Sequence, residues 1–265
     1  MEKRPKQAQL SSDVTISYTE HGSGTPLLCI TGINATQTMW SARFIAALAE
    51  HFRVITYDHR GVGGSVGPRP HSITAFADDA RLLIHYLGLK QAHVFGVSMG
   101  GMVAQHMAVY FQDFVDHLIL GATACAGHLV RPKLKVLLGA LFYLKPDLAA
   151  RALVSDNYLK ADPSHLPRLL ATMKSSSAGT AVFLEQLVAI ASFNLRSEIG
   201  KIKAPTLILS GTDDQIISHQ NSDLIAAAIS GASLIKWDGV GHLFPRERPE
   251  ATAQALFDFV CNSRR

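Results

Sequence analysis

Cysteine is scarce in this 265-residue sequence: Cys29, Cys125 and Cys261 are the whole supply, scattered and with no close pair. That excludes a disulfide-stapled scaffold and a Cys-rich zinc module, and it predicts reduced, buried thiols in a cytoplasmic setting. Charge is also thin. Charged residues make up 17% of the chain, and 25 Lys and Arg against 21 Asp and Glu leave a net charge of +4. Such a mild excess gives no basic footprint for nucleic acid. The one dense basic stretch, Glu2-Lys3-Arg4-Pro5-Lys6, reads as a frayed, solvated tail.

Long hydrophobic runs are missing as well. The best, Val136–Leu144, is broken by Gly139 and flanked by Lys135 and Lys145. It falls well short of the roughly 20 apolar residues that span a bilayer, so no membrane anchor is expected. Met1 to Gln9 is polar and lacks the apolar core of a secretory leader. No internal repeat or low-complexity tract interrupts the chain.

What is present is a 48% hydrophobic chain, long enough for one large core that needs no staple. Short apolar runs at Val14–Tyr18, Leu27–Thr31, Val54–Tyr57, His93–Val97, His117–Leu120, Thr206–Leu209 and Ser233–Trp237 read as strands. Helical patterns lie between them at Ala42–Ala49, Ile73–Leu87, Gly100–Tyr110, Gln220–Ile229 and Pro249–Val260. The alternation predicts an α/β fold with a mainly parallel central sheet and helices on both faces. It breaks only between about Gly127 and Lys203, where the signals are all helical: Lys133–Leu144, Asp147–Leu153, Ser164–Met173 and Thr180–Phe193. Residues 1–126 and 204–265 are therefore expected to form the core domain, and 127–203 a helical cap over the sheet's C-terminal edge.

The strongest chemical signal is Val94-Phe95-Gly96-Val97-Ser98-Met99-Gly100-Gly101, a Gly-x-Ser-x-Gly set between a strand and a helix. A serine thrown outward on so tight a turn needs neighbours without side chains, and Gly96 and Gly100 meet that need. A serine hydroxyl is a poor nucleophile until a base takes its proton. Among 12 histidines, His242 in Gly239-Val240-Gly241-His242 stands out, after the last strand and before the final helix. His59, His93, His106 and His117 fall in core elements and suit structural roles. The base needs a carboxylate to fix its tautomer. The run Leu207-Ile208-Leu209-Ser210-Gly211-Thr212-Asp213-Asp214 offers two candidates, Asp213 and Asp214, in a turn after a strand.

With these motifs the chain resembles the α/β-hydrolase superfamily, and within it the small cofactor-free esterases, enol-lactonases and perhydrolases. Asp58-His59-Arg60-Gly61-Val62-Gly63-Gly64-Ser65 resembles the family's Asp-x-Arg-Gly-x-Gly-x-Ser loop. Gly211-Thr212-Asp213-Asp214 resembles its Gly-x-x-Asp acid loop, which implies Asp214 as the acid. Gly241-His242, with Glu247-Arg248-Pro249 downstream, resembles its histidine loop and exit. The resemblance further implies an oxyanion hole from the N–H groups of Ile33 and Met99. Thr31-Gly32-Ile33 stands where the family has His-Gly-x, a departure in how that loop is braced.

The implied activity is hydrolysis of carboxylic esters or lactones of small, mostly apolar substrates by Ser98, Asp214 and His242 through an acyl-enzyme, without metal or organic cofactor. Carbon–carbon bond hydrolysis, perhydrolysis on the same triad and a non-catalytic ligand receptor are the alternatives. No His-Glu-x-x-His, Walker A or Gly-x-Gly-x-x-Gly signature accompanies the elbow. Apolar cap residues, with His128, Leu141, Phe142 and Leu187 as candidates, are expected to line the substrate pocket. A preference for anionic substrates would point instead to Arg131, Lys133 or Arg151.

Overall fold

The computed structural model describes residues 4–129 and 146–263. The sheet has eight strands: β1 (Lys6–Gln9), β2 (Thr15–His21), β3 (Thr25–Ile30), β4 (Phe52–Tyr57), β5 (Ala92–Val97), β6 (Val115–Gly121), β7 (Thr206–Gly211) and β8 (Ser233–Trp237). Their spatial order is β1-β2-β4-β3-β5-β6-β7-β8. The first two strands join antiparallel, and every other pairing is parallel.

Strand side chains alternate between the two faces, and the interior strands are apolar on both. Leu28, Ile30 and Val94 enter the core on one face. Leu27, Cys29, Phe95 and Val97 enter the core on the other. The first face is covered by α2 (Ile73–Tyr86), α3 (Met99–Tyr110) and α8 (Gln220–Ala228), which contribute Phe76, Leu83, Met102, Met107 and Ile225. The second is covered by α1 (Ala42–Ala49) and α10 (Pro249–Asn262), through Phe44, Leu48, Leu256 and Val260. Local sequence explains where helices begin: the hydroxyls of Ser41 and Ser72 accept from the N–H groups of Phe44 and Ala75.

Between β6 and β7 the described elements are helical: α4 (Pro146–Leu153), α5 (Asp156–Ala161), α6 (His165–Ser176) and α7 (Thr180–Ser192). Helix α9 (Phe244–Glu247) is a single turn before α10. No helix of the described residues is long and apolar enough to cross a membrane.

Three sequence expectations need correction. Lys6 does not fray: the end of the polar tail pairs as β1, with Ala8 wholly buried and Lys6 Nζ 3.0 Å from Glu20 Oε1. Helix α5 was not expected, because its polar sequence has no apolar stripe; the Ser155 cap and its docking hold it. Cys29 and Cys125 are buried as expected, but Cys261 is exposed on α10. The expected helix at Lys133–Leu144 lies outside the described residues.

Candidate active site

Strand β5 runs through the middle of the sheet and ends at Ser98, whose φ of 60° and ψ of −121° leave the favoured backbone regions. The surroundings impose this conformation. Ser98 N–H donates to Gly121 O at 2.9 Å, and Thr123 Oγ1 donates to Ser98 O at 2.8 Å. A Cβ on Gly96 would strike the backbone of Gly100, and one on Gly100 would strike the carbonyls of Ile30 and Thr31. The two motif glycines are thus sites of backbone-to-backbone contact. Met99 begins α3, so its N–H is one of the helix donors with no intrahelical acceptor, at the positive end of the dipole.

The loop after β3 passes beside this elbow: a Cβ on Gly32 would lie 3.2 Å from Ser98 Cβ. Thr31, in place of a histidine, braces the loop by donating from Oγ1 to Ala35 O at 3.2 Å, while His59 Nε2 donates to Thr31 O at 3.1 Å. Asn34, at φ 55°, ties the loop to the helical segment. Its N–H donates to Gln186 Oε1 at 2.6 Å, and its Oδ1 accepts from Ala178 N at 3.1 Å. The Asp58–Ser65 motif buttresses the same region from below. Asp58 accepts from Gln37 N at 2.7 Å and Gly64 N at 3.0 Å, and Ser65 Oγ donates to Asp58 O at 2.7 Å.

Beyond β7 the acid loop separates its two aspartates. Asp213 points to solvent; Asp214 is buried and its Oδ2 lies 2.7 Å from His242 Nδ1. Asp214 Oδ1 accepts from the N–H groups of Ile216 and Ile217 at 2.8 and 2.9 Å, which fixes the carboxylate. A carboxylate on Nδ1 places the imidazole proton there and leaves Nε2 as a lone-pair acceptor, the atom a base must use. Ser98, Asp214 and His242 are all buried.

A brace that sequence reasoning missed holds the histidine loop. Glu247 Oε1 accepts from Gly241 N and Ser155 N, each at 2.9 Å, and its Oε2 accepts from Ser155 Oγ at 2.6 Å. Burial raises the Glu247 pKa above the ordinary carboxylate value, and these donors oppose the rise. The Glu-x-Pro exit motif marked this residue, but its partner Ser155 lies 92 positions away.

A cleft of about 40 Å³ opens beside Gly32 and Val97, walled by Met39, Trp40, Leu243 and Pro245. Its wall is mostly apolar, with the half-buried Arg246 at one side. Of the residues expected to line a pocket, the described His128 and Leu187 are not in this wall. His128 is exposed, Leu187 is 39% exposed on α7, and Leu141 and Phe142 lie outside the described residues. Arg151 is engaged with Asp147 at 2.8 Å, while Arg131 and Lys133 also fall outside the described residues.

With this geometry in place, the chain's kinship is clear: residues 25–249 match the α/β-hydrolase fold family, and the chain belongs to it. It is 34% identical over 246 residues to a poly(3-hydroxyalkanoate) depolymerase of Ectopseudomonas oleovorans, covering 91% of this chain and 86% of that one. It is 29% identical over 255 residues to a putative carbamate hydrolase, RutD, of Azorhizobium caulinodans, covering 93% and 95%. Among solved structures it is similar to the enol-lactonase of Burkholderia xenovorans LB400, with a TM-score of 0.84, 25% identity and coverage of 97% and 100%. The chain is a hydrolase of this fold.

Proposed function

We propose that the protein hydrolyses carboxylic esters or lactones of small, mostly apolar substrates. The observation that carries the reading is a strained serine on a glycine-lined elbow in a fold where a buried carboxylate orients His242 at 2.7 Å. His242 Nε2 takes the proton of Ser98 as Oγ attacks the acyl carbon. The N–H groups of Ile33 and Met99 stabilise the oxyanion, and Asp214 stabilises the imidazolium. The tetrahedral species collapses, the alcohol leaves with the proton from His242, and Ser98 is left acylated. Water, deprotonated by His242, attacks the acyl-enzyme and releases the acid.

Substrate class is read from the cleft. Met39, Trp40, Val97, Leu243 and Pro245 favour an uncharged acyl or alcohol group, and the segment 127–203, helical where it is described, serves as its cap. The depolymerase, the putative carbamate hydrolase and the enol-lactonase are named for hydrolysis at an acyl group, which supports acyl transfer to water as the lead reading.

The test is kcat/KM over p-nitrophenyl acetate, butyrate and longer esters, lactones, and dicarboxylate monoesters. The expected result is turnover with a graded preference for neutral substrates, because one methylene is worth about 1–3 kcal/mol in an apolar pocket. Ser98→Ala and His242→Ala should each lower kcat by at least about 10⁴, and the double variant hardly further. Additive losses would refute a shared catalytic unit. A burst without turnover would indicate a receptor, and a strong preference for anionic esters would make Arg246 a cationic clamp.

A further inference from the structure

We infer that His93, Asp116 and His117 form a binding site for a divalent cation of the zinc class, at the end of the sheet away from Ser98. His93 lies on β5, five residues before Ser98, or about 17 Å along the strand at about 3.3 Å per residue. Asp116 and His117 lie at the start of the neighbouring strand β6.

The backbone builds the cluster. Ala92 pairs with Val115 and Val94 with Leu118, so a single residue of β5, His93, faces two residues of β6. That is a β-bulge, a device that re-aims side chains at one place in a ladder. Here it turns two consecutive residues, which would ordinarily face opposite sides of the sheet, toward the same partner.

The spacing suits a small tetrahedral ion. Asp116 Oδ2 lies 3.2 Å from His93 Nδ1 and 3.4 Å from His117 Nδ1. All three ligand atoms fall within 4.8 Å of one another. Two ligands on a tetrahedral zinc with bonds near 2.0–2.1 Å are themselves about 3.3 Å apart. Both imidazoles are almost fully buried, whereas the Asp116 side chain is 25% exposed, which leaves a side open to water as a fourth ligand.

Tautomer chemistry supplies an independent argument. His117 Nε2 lies 2.8 Å from Ser263 Oγ, and that hydroxyl donates its one proton to Phe259 O at 2.5 Å. Ser263 therefore accepts from His117, so Nε2 carries the proton of the neutral ring and Nδ1 presents a lone pair. That lone pair faces a carboxylate oxygen. With the ring neutral, a cation between the two acceptors satisfies both, and the Nε2–H to Ser263 contact is the outer-sphere anchor that metal-bound histidines commonly have. Ser263 caps α10, so a bound ion would tie the starts of β5 and β6 to the last helix.

The experiment titrates Co²⁺, then Zn²⁺, into chelator-treated, tag-free protein, following the visible ligand-field absorption of Co²⁺ and the melting temperature. Wild type should take up one equivalent with a tetrahedral-type spectrum and melt higher with the ion. Asp116→Asn, the most exposed position of the three, should weaken binding by at least about a hundredfold, since loss of an outer-sphere partner alone costs 10–100-fold. His117→Gln should do the same, and circular dichroism checks that both variants fold. Ser98→Ala should bind as wild type does, which separates this site from the hydrolytic one. Absence of a stoichiometric site in wild type, or equal Co²⁺ binding by Asp116→Asn, would overturn the inference and leave an imidazolium–carboxylate cluster in its place.

Discussion

Acidification bears on this protein through His59, which sits beneath the loop that borders the elbow. Its Nε2–H is held by Thr31 O, its ring packs edge-on against Tyr57 and Phe76, and its Nδ1 is buried with no hydrogen-bond partner. Protonation would bury an unpaired N–H and a charge, so burial pushes its pKa from 6.5 down to about 4. The unfolded chain takes up this proton near pH 6.5 and the native protein only near 4. Stability from His59 is therefore complete above pH 6.5 and is lost as the pH falls from there through about 4. The gap is worth about 3 kcal/mol, or more than a hundredfold in the folded-to-unfolded ratio. Asp58, Asp79 and Glu247, all raised by burial, act in the opposite sense, losing stability as the pH rises through their native pKa values. The total curve mixes these contributions, so the comparison is between wild type and His59→Gln, in urea melts at pH 7, 5.5 and 4. Wild type should lose about 3 kcal/mol more than the variant over that range. Parallel curves would refute the assignment of a neutral, buried His59.

Two further outcomes follow from the site. Asp214→Asn should lower kcat/KM by several orders of magnitude while Asp213→Asn stays within a few-fold of wild type, because only Asp214 reaches His242; steady-state assays of both check this, and the reverse order would refute it. Glu247→Ala strands three donors, Gly241 N, Ser155 N and Ser155 Oγ, and should cost about 2–4 kcal/mol in chemical denaturation, with a parallel fall in kcat as the His242 loop loosens. Unchanged stability would remove Glu247 from this role.

Much of this architecture was legible because local rules and tertiary needs agree. The interior strands announce themselves as short apolar runs because both their faces are buried. Ser98 was legible because only glycine tolerates the contacts at positions 96 and 100. His242 stood out by its place after the last strand, and Asp214 was preferred to Asp213 only through the resemblance of its loop to the family's Gly-x-x-Asp. Strand β1 was not legible, since an edge strand with one buried residue carries almost no hydrophobic pattern. The cleft wall was not legible for a different reason. Met39, Trp40 and Arg246 come from loops or a single helical turn, whose positions depend on docking and not on periodicity. The Glu247–Ser155 brace and the His93–Asp116–His117 cluster depend on long-range register, the latter on one extra residue in a ladder.

The direct pairing of β6 with β7 has a consequence for how such a protein can change over evolutionary time. Leu118 to Gly121 lie in register with Thr206 to Leu209, although residues 122–205 intervene. The entropic penalty for closing so long an excursion grows only with the logarithm of its length, about 0.6 kcal/mol for each doubling. Once the two strands are joined, much of the intervening length can be extended or trimmed at little cost to the sheet, provided Thr123, which holds the Ser98 carbonyl, and Ser155, which holds Glu247, are spared.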